Sequence, residues 1–437
     1  MTDKSYTASQ LHHQRALRTI PTASQTFSKS ALMYVDGSAP LFADRGEGCY
    51  LWDIDGNRFT DFVLGLLPVV LGYKDPDVDL AITNQLARGI TFSLATELEA
   101  ELAEMLVDII PCAEKVRFGK NGTDATSAAI RLARAHTGRD RVAVCGYHGW
   151  QDWYIGTTAR HLGVPQAVRE LTATFTYNDA NSLADLLGQH KGEFAAVILE
   201  PVTFDLPANG FLQSVQKLAN EHGAVLVFDE IVTGFRAALG GAQEVFGVTP
   251  DLACFGKGLG NGMPISAIVG RADIMNLMDE IFFSGTFGGE ALSLAASIAT
   301  FKKLKSSDAI ERIHSVGSQM LTGIRSQISK HDLDAYFQAI GQNWWPSFQP
   351  KPNDQFDSNL LTSLMRQEFV AQGLLYLSTF NICLAHDDDE VIHQTLVSTD
   401  RALAKIADAL GSNRPEDHLK GPVVEPIFQV RPRPNNG

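Results

Sequence analysis

The sequence predicts an α/β protein with a largely parallel sheet, and two observations support this fold class. Between Pro76 and Lys330, short aliphatic runs alternate with longer helical segments; the runs are Val142–Cys145, Ala196–Leu199, Val225–Phe228 and Ala267–Val269. Strands that are apolar along their whole length are buried on both faces, and helices between them favour parallel pairing. The chain of 437 residues also exceeds what one compact core of ordinary size holds, so we expect a large domain and smaller ones beside it.

The pattern along the chain divides it into four segments. Residues 1–75 are an N-terminal arm and a part of a small domain, with a short helix near Ser9–Thr19 and a hairpin over Tyr50–Asp61. Asp55 and Gly56 supply the hairpin turn, because both tolerate left-handed backbone. Residues 76–330 are the large domain, residues 331–410 are a small C-terminal domain of mixed helix and strand, and residues 411–437 are a surface tail.

The composition excludes several classes of protein. The formal net charge of −14 disfavours nucleic acid or an anionic membrane surface as a partner. The longest apolar run, Phe62–Tyr73, is interrupted by Pro68 and falls well short of the ~20 residues that span a bilayer. The N-terminus shows no secretory signal, and the five scattered cysteines form neither a C-x-x-C pair nor a zinc-like pattern. We therefore expect a cytoplasmic protein with reduced thiols, no metal site and no membrane partner.

Lys257 is the first candidate for catalysis. It lies directly after an apolar strand in the glycine-rich stretch Phe255–Pro264, where Gly256 and Gly258 let the backbone bend sharply and approach a ligand closely. A desolvated lysine loses its proton more readily and can then form a Schiff base with an aldehyde. The loop by itself fits a solvated lysine better. It is not a P-loop, because the G-x-x-x-x-G-K-[ST] spacing is missing.

Asp229 is the second candidate, at the end of the apolar strand that begins at Val225. A carboxylate at the C-terminal end of a parallel strand points into the ligand crevice of such sheets. If Lys257 holds pyridoxal phosphate, a buried aspartate keeps the pyridine nitrogen protonated, because each charge favours the charged form of the other. Taken alone, Asp229 fits a simple helix cap equally well.

Two further stretches could bind parts of such a cofactor. Gly119–Thr126 precedes a helical run, and the N–H groups and dipole at a helix start suit a phosphate, although an ordinary N-cap explains the same residues. In Gly146–Tyr154, Tyr147 could stack on a pyridine ring. Trp150, together with Trp344-Trp345, offers aromatic surface that suits a sugar-like compound, and core packing explains such aromatics at least as often.

In this order the motifs resemble the class III aminotransferases of fold type I, and among them glutamate-1-semialdehyde aminomutase and the related sugar-modifying aminotransferases. The motifs are N-G-T-D-A-T, Y-H-G, L-E-P, F-D-E-x-x-T-G-F-R, G-K-G-L-G-N-G-M-P and G-T-F-G-G, within a resemblance that runs from about Phe42 to Leu410. It implies a large domain with a mainly parallel sheet sandwiched by helices. It also implies a small α+β domain made from the N- and C-terminal segments.

Position by position, the resemblance implies roles around the cofactor ring. Lys257 holds pyridoxal 5′-phosphate covalently and shuttles a proton between the substrate carbon and the cofactor carbon. Asp229 pairs with the ring nitrogen, and Ile231 packs on one ring face with Tyr147 on the other.

The resemblance also implies how the phosphate is bound. Asn121, Gly122 and Thr123 hold it within one subunit. Thr286, in Ser284–Gly289, reaches the phosphate of the neighbouring subunit, which implies a homodimer because each site would be incomplete in a monomer.

Three departures from the family pattern concern the substrate. Leu66 and Leu67 lie in the stretch where the aminomutase has a tryptophan. Lys29 stands in for an arginine of the N-terminal arm that binds the substrate carboxylate, and it is a less directional partner. Leu377–His386 holds neither the glutamate of the mutase nor the arginine of many ω-amino-acid aminotransferases, which leaves Glu200 without its usual switching partner. These departures argue against the mutase itself and against a substrate with two carboxylates.

We expect a transaminase that works in two half-reactions with an amino donor and a keto or aldehyde acceptor. The alternative within the family is an aminomutase, which shifts the nitrogen within one substrate. A nucleotide-dependent dehydrogenase fits less well, because Asn261 occupies the last glycine position of a G-x-G-x-x-G match. A non-catalytic cofactor-binding protein would have no need of Lys257 and Asp229.

Overall fold

The chain divides into two compact units in a computed structural model that describes residues 4–426. One, the terminal unit, joins the N-terminal segment up to Asp75 to the segment from Glu311 onward. The other, the central unit, is the continuous stretch Pro76–Ile310. None of the helices in the described residues is long and apolar enough to cross a bilayer.

The terminal unit begins with a helix and a three-stranded antiparallel meander, which are α1 (Thr7–Ala16), β1 (Ala43–Glu47), β2 (Tyr50–Asp53) and β3 (Arg58–Asp61). Gly56, in the turn between β2 and β3, has a φ of 85°, so the predicted hairpin is confirmed. Asp55 accepts hydrogen bonds from the backbone N–H groups of Ala8 at 2.7 Å and Ser9 at 2.8 Å. The hairpin turn thereby caps the first turn of the predicted N-terminal helix.

The central unit is a seven-stranded sheet whose strands are separated by helices. In chain order its elements are α2 (Pro76–Leu86), α3 (Glu97–Ile109), β4 (Lys115–Gly119), α4 (Gly122–Thr137), β5 (Arg141–Cys145), α5 (Asp152–Ile155), α6 (Gln166–Arg169), β6 (Thr172–Thr174), α7 (Ala180–Gln189), β7 (Phe194–Leu199), α8 (Phe211–His222), β8 (Val225–Asp229), α9 (Ala242–Phe246), β9 (Leu252–Phe255), β10 (Ser266–Gly270), α10 (Ala272–Met275) and α11 (Ala291–Ser306). The order across the sheet is β4-β10-β9-β8-β7-β5-β6.

The predicted, largely parallel sheet is confirmed, and β10 is its antiparallel strand. The strands from β9 across to β6 pair in parallel, whereas β10 pairs antiparallel with both β9 and β4. A parallel return needs a crossover of about a dozen residues or more, usually with a helix. The connection from β9 to β10, Gly256–Ile265, is too short for one, so the predicted strand Ala267–Val269 runs back against its neighbour.

The core of the central unit follows from the apolar strands. Alternate side chains such as Val144, Ile198 and Val227 pack in one cluster with the alanine-rich face of α4. The side chains between them, such as Val197 and Phe228, are buried as well. The strands are therefore covered on both faces, as their uniformly apolar sequences predict.

The terminal unit is completed by the C-terminal elements α12 (Ala309–Lys330), β11 (Phe337–Gln342), β12 (Trp345–Pro350), α13 (Ser358–Ala371), β13 (Leu374–Leu375) and α14 (Asp389–Leu410). β11 and β12 form a hairpin, and β13 pairs in parallel with β3. The sheet β1-β2-β3-β13 is thus built from both ends of the chain, which confirms the expected α+β unit of N- and C-terminal segments. The division between the units falls near the start of α12, whereas the predicted boundary after residue 330 falls at the end of that helix.

The first part of the predicted tail, 411–437, packs on α13. The backbone N–H of Val424 donates to Ser363 Oγ at 2.9 Å, and that of Lys420 donates to Gln367 Oε1 at 2.8 Å. Gln367 Nε2 in turn donates to the carbonyl of His418 at 2.9 Å. Residues 427–437 of the predicted tail lie outside the described residues.

Candidate active site

The sheet brings the candidate residues to one edge. β4, β5, β7, β8 and β9 run in the same direction, so their carboxyl ends share an edge of the sheet. The residues that leave this edge are Asn121–Thr123 after β4, Tyr147 after β5, Glu200 after β7, Asp229 at the end of β8 and Lys257 after β9. This edge is where open parallel sheets bind their ligands.

Asp229 is held by a histidine that sequence reasoning had passed over. Asp229 Oδ2 lies 2.8 Å from His148 Nδ1, and both side chains are almost completely buried. Asp229 Oδ1 accepts the backbone N–H of Ile231 at 3.1 Å. His148 stands in the predicted Y-H-G motif, but its sequence neighbour Tyr147 was the residue assigned a role. The sequence did contain a signal for His148, because this residue follows the buried strand β5 and lies in the same motif as the candidate Tyr147.

The imidazole of His148 is fixed from several sides. Its ring lies parallel to that of Trp153 with centroids 6.4 Å apart, and edge-on to Tyr154 at 5.3 Å. Thr126 Oγ1 donates to the backbone carbonyl of His148 at 2.8 Å, which ties this turn to α4. Nε2 of His148 is buried and has no hydrogen-bond partner within residues 4–426. The ring is therefore oriented towards Asp229 by packing as well as by the hydrogen bond.

Lys257 lies among charged groups that oppose one another. Burial lowers the pKa of its ammonium group, Glu200 and Asp229 act in the opposite direction, and Arg236 adds to the lowering. Lys257 begins a short 3-10 helix and has a φ of 36°, in the left-handed region that non-glycine residues rarely adopt. Such strain concentrates at functional positions.

Glu200 is the second carboxylate at this site. Burial raises its pKa, and the nearby charge of Asp229 raises it further, whereas His148 and Lys257 oppose the shift. Glu200 Oε2 accepts the backbone N–H of Tyr147 at 2.8 Å. A Cβ at Gly146 would lie 2.4 Å from the same oxygen, so glycine is required for the carboxylate to approach the backbone.

Residues 121–123, the phosphate turn hereafter, form the start of α4. Asn121 is the N-cap residue, and its backbone N–H donates to Asp124 Oδ2 at 2.7 Å. The predicted capping role of Asn121 is therefore confirmed. Thr123 is 8% exposed, and its Oγ1 has no hydrogen-bond partner in the described part of the chain. A buried hydroxyl without a partner, at the N-terminal turn of a long helix, fits a bound phosphate.

Ile231 links the phosphate turn to the lysine loop. A Cβ at Gly122 would lie 3.0 Å from Ile231 Cδ1, and one at Gly256 would lie 3.2 Å from the same atom. The side chain of Ile231 therefore packs against both glycines. It leaves an apolar surface between the turn and Lys257, which suits one face of an aromatic ring.

The remaining candidates lie on surfaces. Tyr147 is half-exposed, Trp150 is 68% exposed, and Thr286 lies in an exposed loop of the central unit. Lys29 belongs to the terminal unit, where its charge acts on Asp61.

The tryptophan pair of the terminal unit is explained by packing. Trp344 is buried, and its ring stacks on that of Trp345 with centroids 6.0 Å apart. Trp345 Nε1 donates to Asn381 Oδ1 at 2.9 Å. For these two residues the structure favours the core-packing interpretation.

Comparison with known proteins identifies the family. Residues 33–341 match the family described as aminotransferase class-III. The chain belongs to this family. Among its relatives, the glutamate-1-semialdehyde 2,1-aminomutase of Roseiflexus castenholzii is 37% identical over 401 residues, which is 85% of this chain and 92% of that protein. The 3-aminobutyryl-CoA aminotransferase of Cloacimonas acidaminovorans is 33% identical over 391 residues, 86% of this chain and 92% of that protein.

Solved structures show the same fold for this class-III aminotransferase. The FumI protein of Sphingopyxis sp. MTA144, in its PLP internal aldimine form, has a TM-score of 0.87 and 30% identity, and the match covers 94% of this chain and 99% of that one. An ω-transaminase from Sphaerobacter thermophilus has a TM-score of 0.81 and 27% identity, with 90% and 98% covered. The predicted family, fold type and cofactor are confirmed: this is an enzyme that uses pyridoxal 5′-phosphate to move amino groups.

Proposed function

We propose that this class-III enzyme is an intermolecular transaminase in which Lys257 and Asp229 carry the chemistry. An amino donor gives up its nitrogen in one half-reaction, and a keto or aldehyde acceptor takes it in the other. The observation that carries the proposal is the charge pattern at the sheet edge. Burial lowers the pKa of Lys257, and the charges of Glu200 and Asp229 oppose that shift. Asp229 is itself hydrogen-bonded to the buried His148.

Pyridoxal phosphate, when bound, supplies an aldehyde that condenses with amines and a pyridinium ring that withdraws electrons. The residues of the chain do the rest. Burial lowers the pKa of Lys257, so Nζ would more readily be a neutral amine. It would bond to the aldehyde carbon with loss of water, and after a substrate amine had displaced it, it would accept and return a proton. Asp229 supplies the negative charge that keeps a ring nitrogen protonated, and His148 fixes the orientation of that carboxylate.

Binding of the cofactor is assigned to the residues around these two. The backbone N–H groups of Gly122 and Thr123, together with the Thr123 hydroxyl, would hold the phosphate, and Asn121, whose own N–H donates to Asp124, would shape the turn around it. Ile231 would cover one ring face, as its packing against Gly122 and Gly256 suggests, and Tyr147 would cover the other.

We propose a homodimer in which Thr286 completes the neighbouring phosphate site. The loop that carries Thr286 borders a cavity of about 670 Å³ whose lining also includes Phe92, Leu94 and Phe283. Leu94, Phe282 and Phe287 are among the most exposed large apolar side chains of the central unit. Apolar surface of this kind marks protein–protein contacts, and a second copy would cover it in a closed, symmetric pair.

The substrate is assigned more broadly, as a carbonyl compound without two carboxylates. Trp150 offers an exposed aromatic face near the site, which suits a sugar-like ring, and Glu200 and Lys29 are the polar candidates for substrate binding. No acidic residue lies in Leu377–His386, where the resemblance places the mutase glutamate. That departure favours a transaminase over an aminomutase, although relatives that match most of the chain include aminomutases.

We also propose a cytoplasmic location. All five cysteines are buried, and none forms a disulfide bond. Reduced thiols of this kind are typical of proteins that fold in a reducing compartment.

Stoichiometry tests the function. The purified enzyme should convert one amino donor per site and then stop, because the cofactor has taken up the amino group. Conversion should resume when a keto or aldehyde acceptor is added. Sustained turnover of one amino-aldehyde without a second substrate would instead show a mutase.

Substitution at the site tests the residue assignments. Lys257→Ala should abolish the borohydride-reducible link to the cofactor while the fold is retained, as judged by circular dichroism. Asp229→Asn should keep the cofactor bound but lower turnover by orders of magnitude. A reducible link on another lysine, or near-normal turnover of Asp229→Asn, would contradict these assignments.

A further inference from the structure

A mostly buried ion pair lies directly behind the phosphate turn. Lys120 Nζ is 3.1 Å from Glu290 Oε2 and 3.2 Å from Ser293 Oγ. The side chains of Lys120 and Glu290 are only 18% and 11% exposed. Lys120 immediately precedes Asn121. Its backbone N–H donates to Asp124 Oδ2 at 3.0 Å, so its backbone is tied to the first turn of α4.

Glu290 is held as an anion at this place. It is the N-cap residue of α11 and accepts the backbone N–H groups of Leu292 at 2.7 Å and Ser293 at 3.2 Å, together with Ser293 Oγ at 2.5 Å. Burial raises its pKa, but the hydrogen bonds from Ser293, Lys120 and Leu292 and the charge of Lys120 together outweigh burial, so the pKa lies below its ordinary value. A fixed negative charge is therefore paired with the residue that directly precedes the proposed phosphate turn.

Lys120 reduces the repulsion between Glu290 and a bound phosphate. Its ammonium group neutralises Glu290, and its backbone is part of the phosphate turn. The contact ties the start of α4 to the start of α11, and the loop that carries Thr286 ends at Glu290. Without Lys120, the carboxylate would remain buried without its cation and would repel a phosphate dianion nearby.

We propose that Lys120, acting through Glu290, is a positioning residue of the phosphate site and sets its affinity for the dianion. The inference rests on the proposed role of Asn121–Thr123 in holding the phosphate. It concerns the phosphate alone, so the affinity for a ligand without phosphate should not depend on Lys120. A purely structural role would change both affinities together.

The test compares pyridoxal phosphate with pyridoxal on the full-length protein freed of cofactor. Titrations followed by absorbance and intrinsic fluorescence yield the two dissociation constants. In Lys120→Met, the affinity for pyridoxal phosphate should fall about tenfold or more, because an uncompensated, mostly buried carboxylate faces the phosphate. The affinity for pyridoxal should stay within about twofold of the original value, since pyridoxal carries no dianion.

A double variant isolates the charge. In Lys120→Met/Glu290→Gln the repelling carboxylate is gone, so the affinity for pyridoxal phosphate should return to within about threefold of the original value. In Glu290→Gln alone, the ratio of the affinity for pyridoxal phosphate to that for pyridoxal should rise about threefold or more above the ratio in the original protein. This variant keeps the proposal testable if Lys120→Met does not fold. Lys302→Met is the matched control: it removes an exposed lysine from α11 that pairs with Glu101, about 18 Å along the helix from Glu290. It should leave both affinities unchanged.

The proposal is overturned if Lys120→Met weakens both ligands equally, or if the double variant remains as weak as the single one. An unchanged ratio of the affinities for pyridoxal phosphate and pyridoxal in Glu290→Gln would also overturn the proposal. Thr123→Val separates this inference from the function on which it rests. If Thr123→Val weakens pyridoxal phosphate selectively and Lys120→Met does not, the role of Lys120 alone fails. If Thr123→Val leaves the preference unchanged, the assignment of the phosphate turn fails first.

Discussion

At the residue scale, Asp229 depends on a partner from a strand that is not its neighbour. Asp229 ends β8, and His148 follows β5, while β7 lies between these strands in the sheet. A hydrogen bond to a charged group contributes about 1.5–3 kcal/mol, so the contact with His148 is a substantial part of how the Asp229 side chain is held.

We expect His148→Phe to lower turnover about 10- to 100-fold, because the loss of one such hydrogen bond corresponds to that range. His148→Asn keeps a donor near the position of Nδ1 and should recover most of the loss. Single-turnover absorbance with one amino donor measures the step, and cofactor retention is read from the same spectra. Equal rates for the Phe and Asn variants would show that the hydrogen bond to Asp229 is unimportant.

A second residue-scale prediction concerns Glu200 and pH. Its pKa is raised by burial and by Asp229, so ionised Glu200 is less favourable in the folded state than in the unfolded chain. Below the ordinary value near 4.5 the group is protonated in both states, and the penalty appears as pH rises through the folded pKa. The cofactor-free Glu200→Gln variant should therefore be more stable than the original protein at pH 7.5, with a difference that shrinks towards pH 4.5.

Thermal unfolding at several pH values measures this difference. The side-chain amide oxygen of the Glu200→Gln variant can still accept the backbone N–H of Tyr147, so the comparison isolates the charge. Glu221→Gln on α8, where the carboxylate is exposed, is the control and should show no pH-dependent gain. A Glu200→Gln effect that is the same at pH 4.5 and pH 7.5 would rule out ionisation as its cause.

At the scale of elements, a glycine allows α12 to approach the β11–β12 hairpin. A Cβ at Gly317 would lie 1.5 Å from the backbone carbonyl oxygen of Asn343, closer than any two such atoms can be. The hairpin turn at Asn343 also precedes the stacked pair Trp344 and Trp345. Close packing of a helix on a backbone turn therefore depends on one missing methyl group.

Gly317→Ala should destabilise the protein by about 1–3 kcal/mol or more, because the hairpin has to move to admit the methyl group. Gly188→Ala is the matched control in α7, where a Cβ would meet nothing within 4 Å. It should instead stabilise by about 0.5–1 kcal/mol, since alanine is the better helix former. The midpoints of urea unfolding measure both, and similar midpoints for the two variants would contradict the packing argument.

At the scale of the whole molecule, the exposed apolar surface near the Thr286 loop is the feature that a monomer does not explain. Leu94 is 82% exposed and lines the same cavity as Thr286. Large exposed apolar side chains that surround a cavity are a liability in a monomer and are expected in a subunit interface.

If the proposed homodimer forms, we expect Leu94→Asp to shift it to the monomer and to weaken cofactor binding, because the proposed contact of Thr286 with the neighbouring phosphate would be lost. Light scattering across a dilution series measures the first effect and cofactor titration the second. Leu162→Asp is the control, since Leu162 is fully exposed and lies outside the lining of that cavity. Loss of the dimer with unchanged cofactor affinity would remove Thr286 from the phosphate site.

Local pattern in the sequence determined the element types and the order of the motifs. The apolar runs of β7 and β8 predict buried parallel strands, and the glycines around Lys257 predict a bending loop after a strand, because these properties depend on neighbouring residues alone. The resemblance then predicted the family and the cofactor, which the comparisons confirm. The direction of β10 was missed, because pairing direction depends on connection length and on the whole sheet.

Tertiary structure alone decided which distant side chains meet. His148 with Asp229, Lys120 with Glu290, and Gly317 with the hairpin at Asn343 join residues that are 81, 170 and 26 positions apart. The alternative of core packing for Trp344 and Trp345 could likewise be favoured only once their surroundings were known. The physical reason is that helix and strand formation follow from local backbone preferences, whereas contacts between residues distant in sequence form only when the complete fold brings their elements together.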